Sequence, residues 1–340
     1  MSDGARAWGH EGRYYAHRPG EPSSDSGRGA SRDATRWAQL LEAATPGTYD
    51  SVSRAFKQWN NIVRDHLRTE TGLRLSVGDD AQSVPVRITD GVPKPLAEVL
   101  QTMQEEIAWL ILHRPEVEAA VRGTRFMAEN ARAGRSELPG PARPGTIEEV
   151  RQTAEAWLRL IDDEGAIRRL ATIEEDVLGA YFFRVPEVRL HWVPIGIVAR
   201  MLDVSVEALT MVVLAHELAH AYTHLGRDID GERWDTEAFA HADLEIVEGL
   251  AQFYTQVICA RLETRVPAAH TAYAKLLRWQ SPPYHAHTEW VQDDERGGEI
   301  VRVSMIECRT RRIREVTAFT DAVARYRERV RGRGRGASSS

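Results

Sequence analysis

Cysteine is scarce in this chain, where Cys259 and Cys308 are the only examples. Two cysteines cannot build a disulfide framework or a cage of metal-binding thiolates, so we expect a reducing compartment. Long apolar runs are also absent: the longest, Ile107 to Leu112, is far shorter than the roughly 20 residues that cross a bilayer. The first residues show no hydrophobic signal segment. These absences predict a cytoplasmic protein that does not enter a membrane.

Basic residues do not outnumber acidic ones, and the net charge of the chain is −6. Proteins that bind nucleic acid through its phosphates normally present a basic surface, so nucleic acid is not the expected partner. The exception is the arginine-rich C-terminal part, residues 309–340, which ends in RGRGRGASSS. Such a segment can touch RNA or acidic partners, but we interpret it as a solvated basic helix followed by a disordered tail.

Composition divides the rest of the chain into four segments. Residues 1–33 are rich in Gly, Ser, Arg and Pro without apolar periodicity, which predicts disorder. Residues 34–133 place apolar residues at helical spacing, which predicts a helical N-terminal region. A Gly- and Pro-rich linker at 134–146 then leads to a main domain at 147–308.

The most strand-like run extends from Tyr181 to Ile195. Apolar Val188, Leu190 and Trp192 occupy every second position, and Pro186 and Pro194 bracket this alternating part. Prolines are tolerated best at strand ends and sheet edges. We therefore predict an edge strand of a small sheet, which can pair with an extended peptide if it borders a cleft.

The stretch LTMVVLAHELAHAYTHLG, from Leu209 to Gly226, places three histidines and a glutamate among mostly apolar residues. Asp203 or Ser205 can cap a helix here, and glycine is favoured just past a helix end. The pattern predicts a largely buried helix of about 20 residues that ends at Gly226.

Within this helix, His216 and His220 are four residues apart. Their imidazoles therefore stand one turn apart on one face, close enough to bind a single ion. Glu217 borders the same face and can reach a water held by that ion. This is the His-Glu-x-x-His arrangement, in which two neutral imidazoles bind zinc and a carboxylate takes a proton from water.

A catalytic zinc needs a third protein ligand and an open fourth position. In HADLEIVEGLAQFYTQVICA, from His241 to Ala260, Glu248 shares a helical stripe with apolar and small residues, so it points inward. A buried carboxylate is costly unless it is paired or binds a metal, which favours Glu248 as the third ligand. Glu245 is a less favoured alternative. His241, on the same stripe, is a rival ligand, a partner of the ligands or a surface residue.

The order of these residues resembles the zincin metallopeptidases. His216-Glu-Leu-Ala-His220 followed by VEGLAQ is similar to the gluzincin branch, where a glutamate on a second helix completes the zinc site. EGLA, from Glu248 to Ala251, is similar to the segment around the third ligand in aminopeptidase N-like enzymes, and VEGLAQ to that of the thimet oligopeptidase group. The resemblance covers Leu178 to Ala260 and implies a zinc metallopeptidase with Glu217 as general base.

The sequence departs from that pattern at two points. Gln252 lies where thermolysin-like enzymes have an aspartate that orients a zinc-bound histidine, so that role falls to Asp243, Asp235 or a backbone carbonyl. His224 follows His220 by four residues, which is not the metzincin spacing, and one ion cannot reach it and the first histidine together. It is either a partner of the ligands, a substrate-side residue or an ordinary polar helix end.

Hydrolysis also needs a group that stabilises negative charge on the attacked carbonyl oxygen. The Pro-broken loop SPPYHAH supplies Tyr284, His285 and His287. Gluzincins commonly use a downstream Tyr or His in this way, so the resemblance implies this role for Tyr284 and His287. The alternative is a surface loop that happens to hold histidines.

These expectations combine into an α+β fold that is predominantly α. A zincin-like catalytic domain at 147–308, with a small sheet packed near the HExxH helix, follows the helical N-terminal region. The expected function is that of an intracellular Zn2+ metallopeptidase. Its expected partners are a protein or peptide substrate and a regulatory protein. The alternative is a catalytically silent protein of zincin fold that binds metal for sensing or interaction.

Two other metal chemistries are disfavoured by the residues. A di-iron carboxylate bundle usually needs two Glu-x-x-His units, and Glu217 to His220 is the only one in the sequence. A deformylase-like amidase takes a cysteine ligand from a segment before the helix motif, whereas Cys259 and Cys308 both follow it.

Overall fold

The structure is a computed structural model that describes residues 28–75, 84–90, 92–101, 103, 105–133, 144–163, 177–291 and 296–336. It is mostly helical with one small sheet, which confirms the α+β, predominantly α prediction. The helices are α1 (Arg28–Ala44), α2 (Thr48–Thr71), α3 (Lys94–Gln101), α4 (Glu105–Leu112), α5 (Arg114–Arg132), α6 (Pro144–Asp163), α7 (Trp192–Leu202), α8 (Val206–Leu225), α9 (Thr236–Ala240), α10 (Leu244–Arg261), α11 (Pro267–Leu277), α12 (Pro282–His285), α13 (His287–Trp290), α14 (Gly297–Arg311) and α15 (Val316–Gly336).

The sheet has three strands in the order β1-β3-β2, namely β1 (Val86–Thr89), β2 (Gly179–Phe182) and β3 (Glu187–His191). β3 pairs in parallel with β1, where Val188 faces Val86. It pairs in antiparallel fashion with β2, where Val188 faces Tyr181. β2 lies at an edge of the described sheet, and its Gly179 packs against Glu217 and Val213 of the helix Val206–Leu225.

The single edge strand predicted from Tyr181 to Ile195 is wrong. The run folds as the end of β2, a turn, the central strand β3 and then the start of α7 at Trp192. Two prolines explain the error. Pro186 has no N–H for a strand ladder and closes the turn, whereas Pro194 lies in the first turn of α7, where its missing N–H costs nothing.

Helix α8, called here the motif helix, carries the HExxH residues through the centre of the molecule. The Ser205 hydroxyl accepts a hydrogen bond from Ala208 N at 3.1 Å and caps its start, while Gly226 follows its end as predicted. Asp203 does not cap this helix, because it occupies the left-handed position after α7. Nearly every residue of the motif helix is buried, and each fully buried Val or Leu contributes about 1.5–3 kcal/mol.

Helix α10, called here the ligand helix, packs against the motif helix and carries Glu248. Gly249 lets it approach α13 closely, because a Cβ at this position would lie 2.4 Å from the Trp290 ring. Trp290 in turn packs on Phe319 of α15. Asp243 precedes the ligand helix, and its carboxylate accepts a hydrogen bond from Val316 N at 2.8 Å. This bond joins the start of α15 to the start of the ligand helix.

The N-terminal helices share one core with the rest of the described chain. Buried apolar residues from Trp37 to Val323 form a continuous cluster, and Tyr222 of the motif helix donates to Arg64 O of α2 at 2.9 Å. A small separate cluster of Val117, Val121 and Ala154 joins α5 to α6.

Three segment predictions meet the structure only in part. Helix α1 begins at Arg28, so residues 28–33 of the predicted disordered segment are helical, and residues 1–27 lie outside the described residues. Of the predicted linker at 134–146, residues 134–143 also lie outside, and 144–146 begin α6. The basic segment after 309 contains the end of α14 and all of α15. Among the described helices, none has the length and apolar character needed to cross a membrane.

Candidate metal centre

Three side chains converge between the motif helix and the ligand helix. The Nε2 atoms of His216 and His220 are 3.1 Å apart, and Glu248 Oε2 lies 3.3 Å from the first and 3.4 Å from the second. All three residues are buried. Among the described residues, this is the one group of three His, Cys, Asp or Glu side chains that can hold a metal ion.

The spacing of these donor atoms fits a single tetrahedral ion. Ligand atoms about 2.0–2.2 Å from a tetrahedral ion lie roughly 3.3–3.5 Å from one another, close to the separations seen here. Two neutral imidazoles also turn the same nitrogen toward each other, and their lone pairs repel unless a proton or a cation lies between them. The geometry thus suits a cation held by two nitrogens and one oxygen.

Two opposing effects act on the Glu248 carboxyl. Burial by itself raises its pKa, but positive charge and hydrogen bonds from the facing imidazoles of His220 and His216 outweigh burial and hold the pKa below its ordinary value. Glu248 lies on the ligand helix and the two histidines on the motif helix, so the packing of these two helices sets the distance between the carboxylate and the imidazoles.

Glu217 lies next to the ligands, where it forms part of the wall of a cavity of about 100 Å³. Its side chain is 2% exposed, and strand β2 passes directly over it. The cavity wall is mainly apolar and includes Leu96, Val198, Val212, Leu276 and Trp279. His216, Gln252, Gln280 and Tyr284 contribute polar groups to the same wall. A carboxylate, one of the candidate metal ligands and an apolar space thus meet at one cavity.

Gly179 permits this arrangement, because a Cβ at this position would lie 2.7 Å from Glu217 Cγ and 2.8 Å from Val213 Cγ1. We expect Gly179→Ala to displace the Glu217 side chain or β2 and to lower the free energy of unfolding by about 1–3 kcal/mol. Gly123→Ala in α5 is the matched control, since no heavy atom lies within 4 Å of its added Cβ. Denaturant unfolding measures both, and equal stability of the two variants would contradict the predicted crowding.

His224 ties β2 to the motif helix and does not reach the metal ligands. Its Nδ1 lies 2.9 Å from the Tyr181 hydroxyl and its Nε2 lies 3.2 Å from the Thr236 hydroxyl, while its ring stacks on Phe239. The side chain is fully buried among these partners, which does not fit an ordinary polar helix end. Burial lowers the pKa of His224 to about 3, with nearby arginines adding to the effect.

This depressed pKa has a consequence for stability. Unfolded His224 binds a proton near pH 6.5, but folded His224 does not until about pH 3, so its neutral form favours folding above pH 6.5. As the pH falls from 6.5 toward 3, we expect the free energy of unfolding to fall by about 1.4 kcal/mol per pH unit from this residue.

Unfolding of the wild type and of His224→Gln over this pH range, with a chelator present, measures the contribution. The glutamine variant is expected to show the shallower slope because it lacks the titrating group. His241→Gln serves as the control, since the His241 side chain is 55% exposed. The explanation fails if the His224 and His241 variants have the same slope.

The structure brings one of the two predicted oxyanion residues to the cavity. Tyr284 lines it, and its ring lies nearly parallel to the imidazole of His216, with centroids 5.9 Å apart. His287 lies in the core beside the cavity instead. Its Nδ1 donates to Tyr284 O at 2.9 Å and its Nε2 accepts from the Tyr273 hydroxyl at 3.0 Å, so it holds the loop that carries Tyr284. Burial lowers the pKa of His287 to about 4.

The residues proposed to support the ligands have other partners. The Asp235 carboxylate accepts from Ala238 N and caps α9, and the Asp243 carboxylate accepts from Val316 N. Gln252, which replaces the orienting aspartate of thermolysin-like enzymes, donates to Gln280 Oε1 at 2.8 Å. No described residue accepts a hydrogen bond from His216 Nδ1.

The rival third ligands lie away from the centre. His241 is exposed and its Nδ1 contacts Glu237 O at 2.7 Å. Glu245 is half-buried in the first turn of the ligand helix. Neither belongs to the group of described residues that can hold a metal ion, which agrees with the choice of Glu248.

Sequence reasoning missed Gly179 and Trp279, which shape the space beside Glu217. A glycine next to a strand-like run was the available signal for a close backbone approach. Trp279 follows the end of α11 and gave no such signal.

Comparison of the chain with protein-family models, curated proteins and solved structures yields no match.

Proposed function

We propose that this protein is a zinc-dependent hydrolase of the zincin type that cleaves peptide bonds. The observation that carries the proposal is the convergence of His216, His220 and Glu248 at tetrahedral spacing, with Glu217 beside them in the wall of a cavity. A set of two imidazoles and one carboxylate suits zinc, and three protein ligands leave a fourth position open, as in catalytic sites.

When bound, a zinc ion acts as a Lewis acid and makes water a stronger nucleophile at neutral pH. Glu217 would accept the proton of the attacking water as the water oxygen bonds to the carbonyl carbon, and would deliver that proton to the nitrogen of the leaving amine as the C–N bond breaks. Its burial excludes bulk water from the proton path. The Tyr284 hydroxyl, on a residue of the same cavity wall, is our candidate to donate a hydrogen bond to the carbonyl oxygen as negative charge develops there.

The edge of the sheet supports a peptide as the substrate. Among the described residues no strand pairs with the outer edge of β2, and β2 passes over Glu217. Backbone groups along an open edge can pair with an extended chain and hold its peptide bond near the cavity. The mainly apolar cavity wall then suits an uncharged side chain next to that bond.

A second candidate is the catalytically silent metal protein, in which the ion is structural. The burial of all three ligands favours it, because structural zinc sites are closed to solvent and catalytic ones keep an open position. In this case the metal joins the motif helix to the ligand helix, and the protein acts by binding a partner. The two candidates share the metal and differ in turnover.

One experiment separates them. The metal content of the purified protein is measured by elemental analysis, and the zinc-loaded and chelated forms are incubated with peptides from a digested proteome. We expect about one zinc per chain and cleavage products only with the loaded form. One zinc without any cleavage would favour the silent protein, and a chain that binds no zinc would contradict both candidates.

A further inference from the structure

A groove of about 480 Å³ lies on the surface next to the cavity, between α5, the end of α7 and α11. Its lining contains four cations, Arg114, Arg122, Lys275 and Arg278, against the two carboxylates of Glu118 and Asp203. The groove is thus locally basic on a chain whose net charge is −6. Clefts lined by one sign of charge attract ligands of the opposite sign.

One carboxylate of this basic groove lies beside two of its cations, because Glu118 is 2.8 Å from Arg114 Nε and 3.7 Å from Arg122 Nη1. Lys275 Nζ donates to Leu202 O at 2.7 Å and Asp203 O at 3.0 Å. Backbone carbonyls hold the ammonium in place without cancelling its unit charge. Arg278 is exposed at the rim.

The basic groove and the cavity share one wall. Trp279 lines both spaces, and in α11 Leu276 faces the cavity while its neighbour Lys275 faces the groove. A polypeptide with one side chain in the cavity therefore continues past the Trp279 indole and reaches the cations. The two acidic side chains within the groove favour discrete carboxylates of a peptide over a continuous run of phosphates.

We propose that the basic groove binds acidic side chains of the substrate, so that the site selects peptides with Asp or Glu near the residue that enters the cavity. Cleavage of the bound peptide rests on the proposed function. Binding itself requires no hydrolysis, so the two can be tested apart.

The test measures binding of two fluorescent peptides to the purified full-length protein with Glu217→Gln. Each contains one leucine, followed by three aspartates in one peptide and three lysines in the other. We expect the aspartate peptide to bind at least about tenfold more tightly, with affinity falling as salt rises. Arg278→Glu, added to this protein, should weaken its binding about tenfold. Arg54→Glu on α2, an exposed arginine with the same change in net charge, is the matched control.

Equal affinity for the two peptides, or equal loss with Arg278→Glu and Arg54→Glu, would overturn the proposal. A single-stranded oligonucleotide that binds in place of the aspartate peptide and is lost with Arg278→Glu would assign the groove to phosphates and also overturn it. Zinc-loaded wild type that binds the aspartate peptide but cleaves neither it nor any peptide of the digested proteome would refute the proposed function alone. Cleavage of both peptides at equal rates would refute the groove alone.

Discussion

Glu248→Ala is expected to abolish stoichiometric zinc binding. The carboxylate is one of three donors at 3.1–3.4 Å from one another, and its removal leaves two imidazoles that cannot hold the ion firmly by themselves. Loss of an outer partner of a metal ligand already costs about 10- to 100-fold in affinity, so loss of the ligand itself should cost roughly a thousandfold or more. Elemental analysis after dialysis and competition with a zinc-binding dye measure the change.

Glu245→Ala is the matched control for this experiment. Glu245 lies one turn earlier on the same ligand helix and is half-buried, so this variant removes a carboxylate from the helix without touching the cluster. Zinc should also raise the melting temperature of the wild type and of the control, because a ligand that binds only the folded state stabilises it. Zinc retained at wild-type affinity in Glu248→Ala would rule out this residue as the third ligand.

Glu217→Gln is expected to lower kcat/KM for peptide hydrolysis by about 10²- to 10⁴-fold while zinc stays bound. Glutamine has nearly the same size as glutamate, so the contact with Gly179 is kept. An amide, however, cannot accept the proton from water or return it to the leaving amine. The measurement compares initial rates of the zinc-loaded variant and wild type on a peptide identified by the proteome digest.

Glu207→Gln offers the control on the same helix. Glu207 lies in the first turn of the motif helix, more than two turns before His216, and its substitution changes the net charge by the same amount. Full activity is expected there. If Glu217→Gln also keeps full activity, Glu217 is not the general base, and the zinc then serves another chemistry or a structural role.

Much of the candidate site could be predicted because it depends on geometry within single helices. An α-helix places residues four apart on one face, so His216 and His220 had to lie together once the segment was helical. The capping serine at Ser205 and the glycine at Gly226 set the helix ends for the same local reason. The inward position of Glu248 followed from the stripe of apolar neighbours on its own helix.

Other features depend on contacts between residues far apart in the chain. Tyr284 and His287 looked alike as loop residues, and only the packing of α12 and α13 turned the first to the cavity and the second to Tyr273. The run from Tyr181 to Ile195 alternates like one strand, yet Pro186 breaks it and the β1 pairing makes its second part a central strand.

Sequence spacing thus specified the chemistry that is available: two imidazoles and a carboxylate on one helix, and an inward glutamate on another. It could not specify the 3.3 Å and 3.4 Å approach of Glu248 to the imidazoles, the crossing of β2 over Glu217 at Gly179, or the wall that Trp279 shares with the basic groove. The reason is physical. Helical periodicity is set by local backbone geometry, whereas the distance between two elements is set by how all the side chains between them pack.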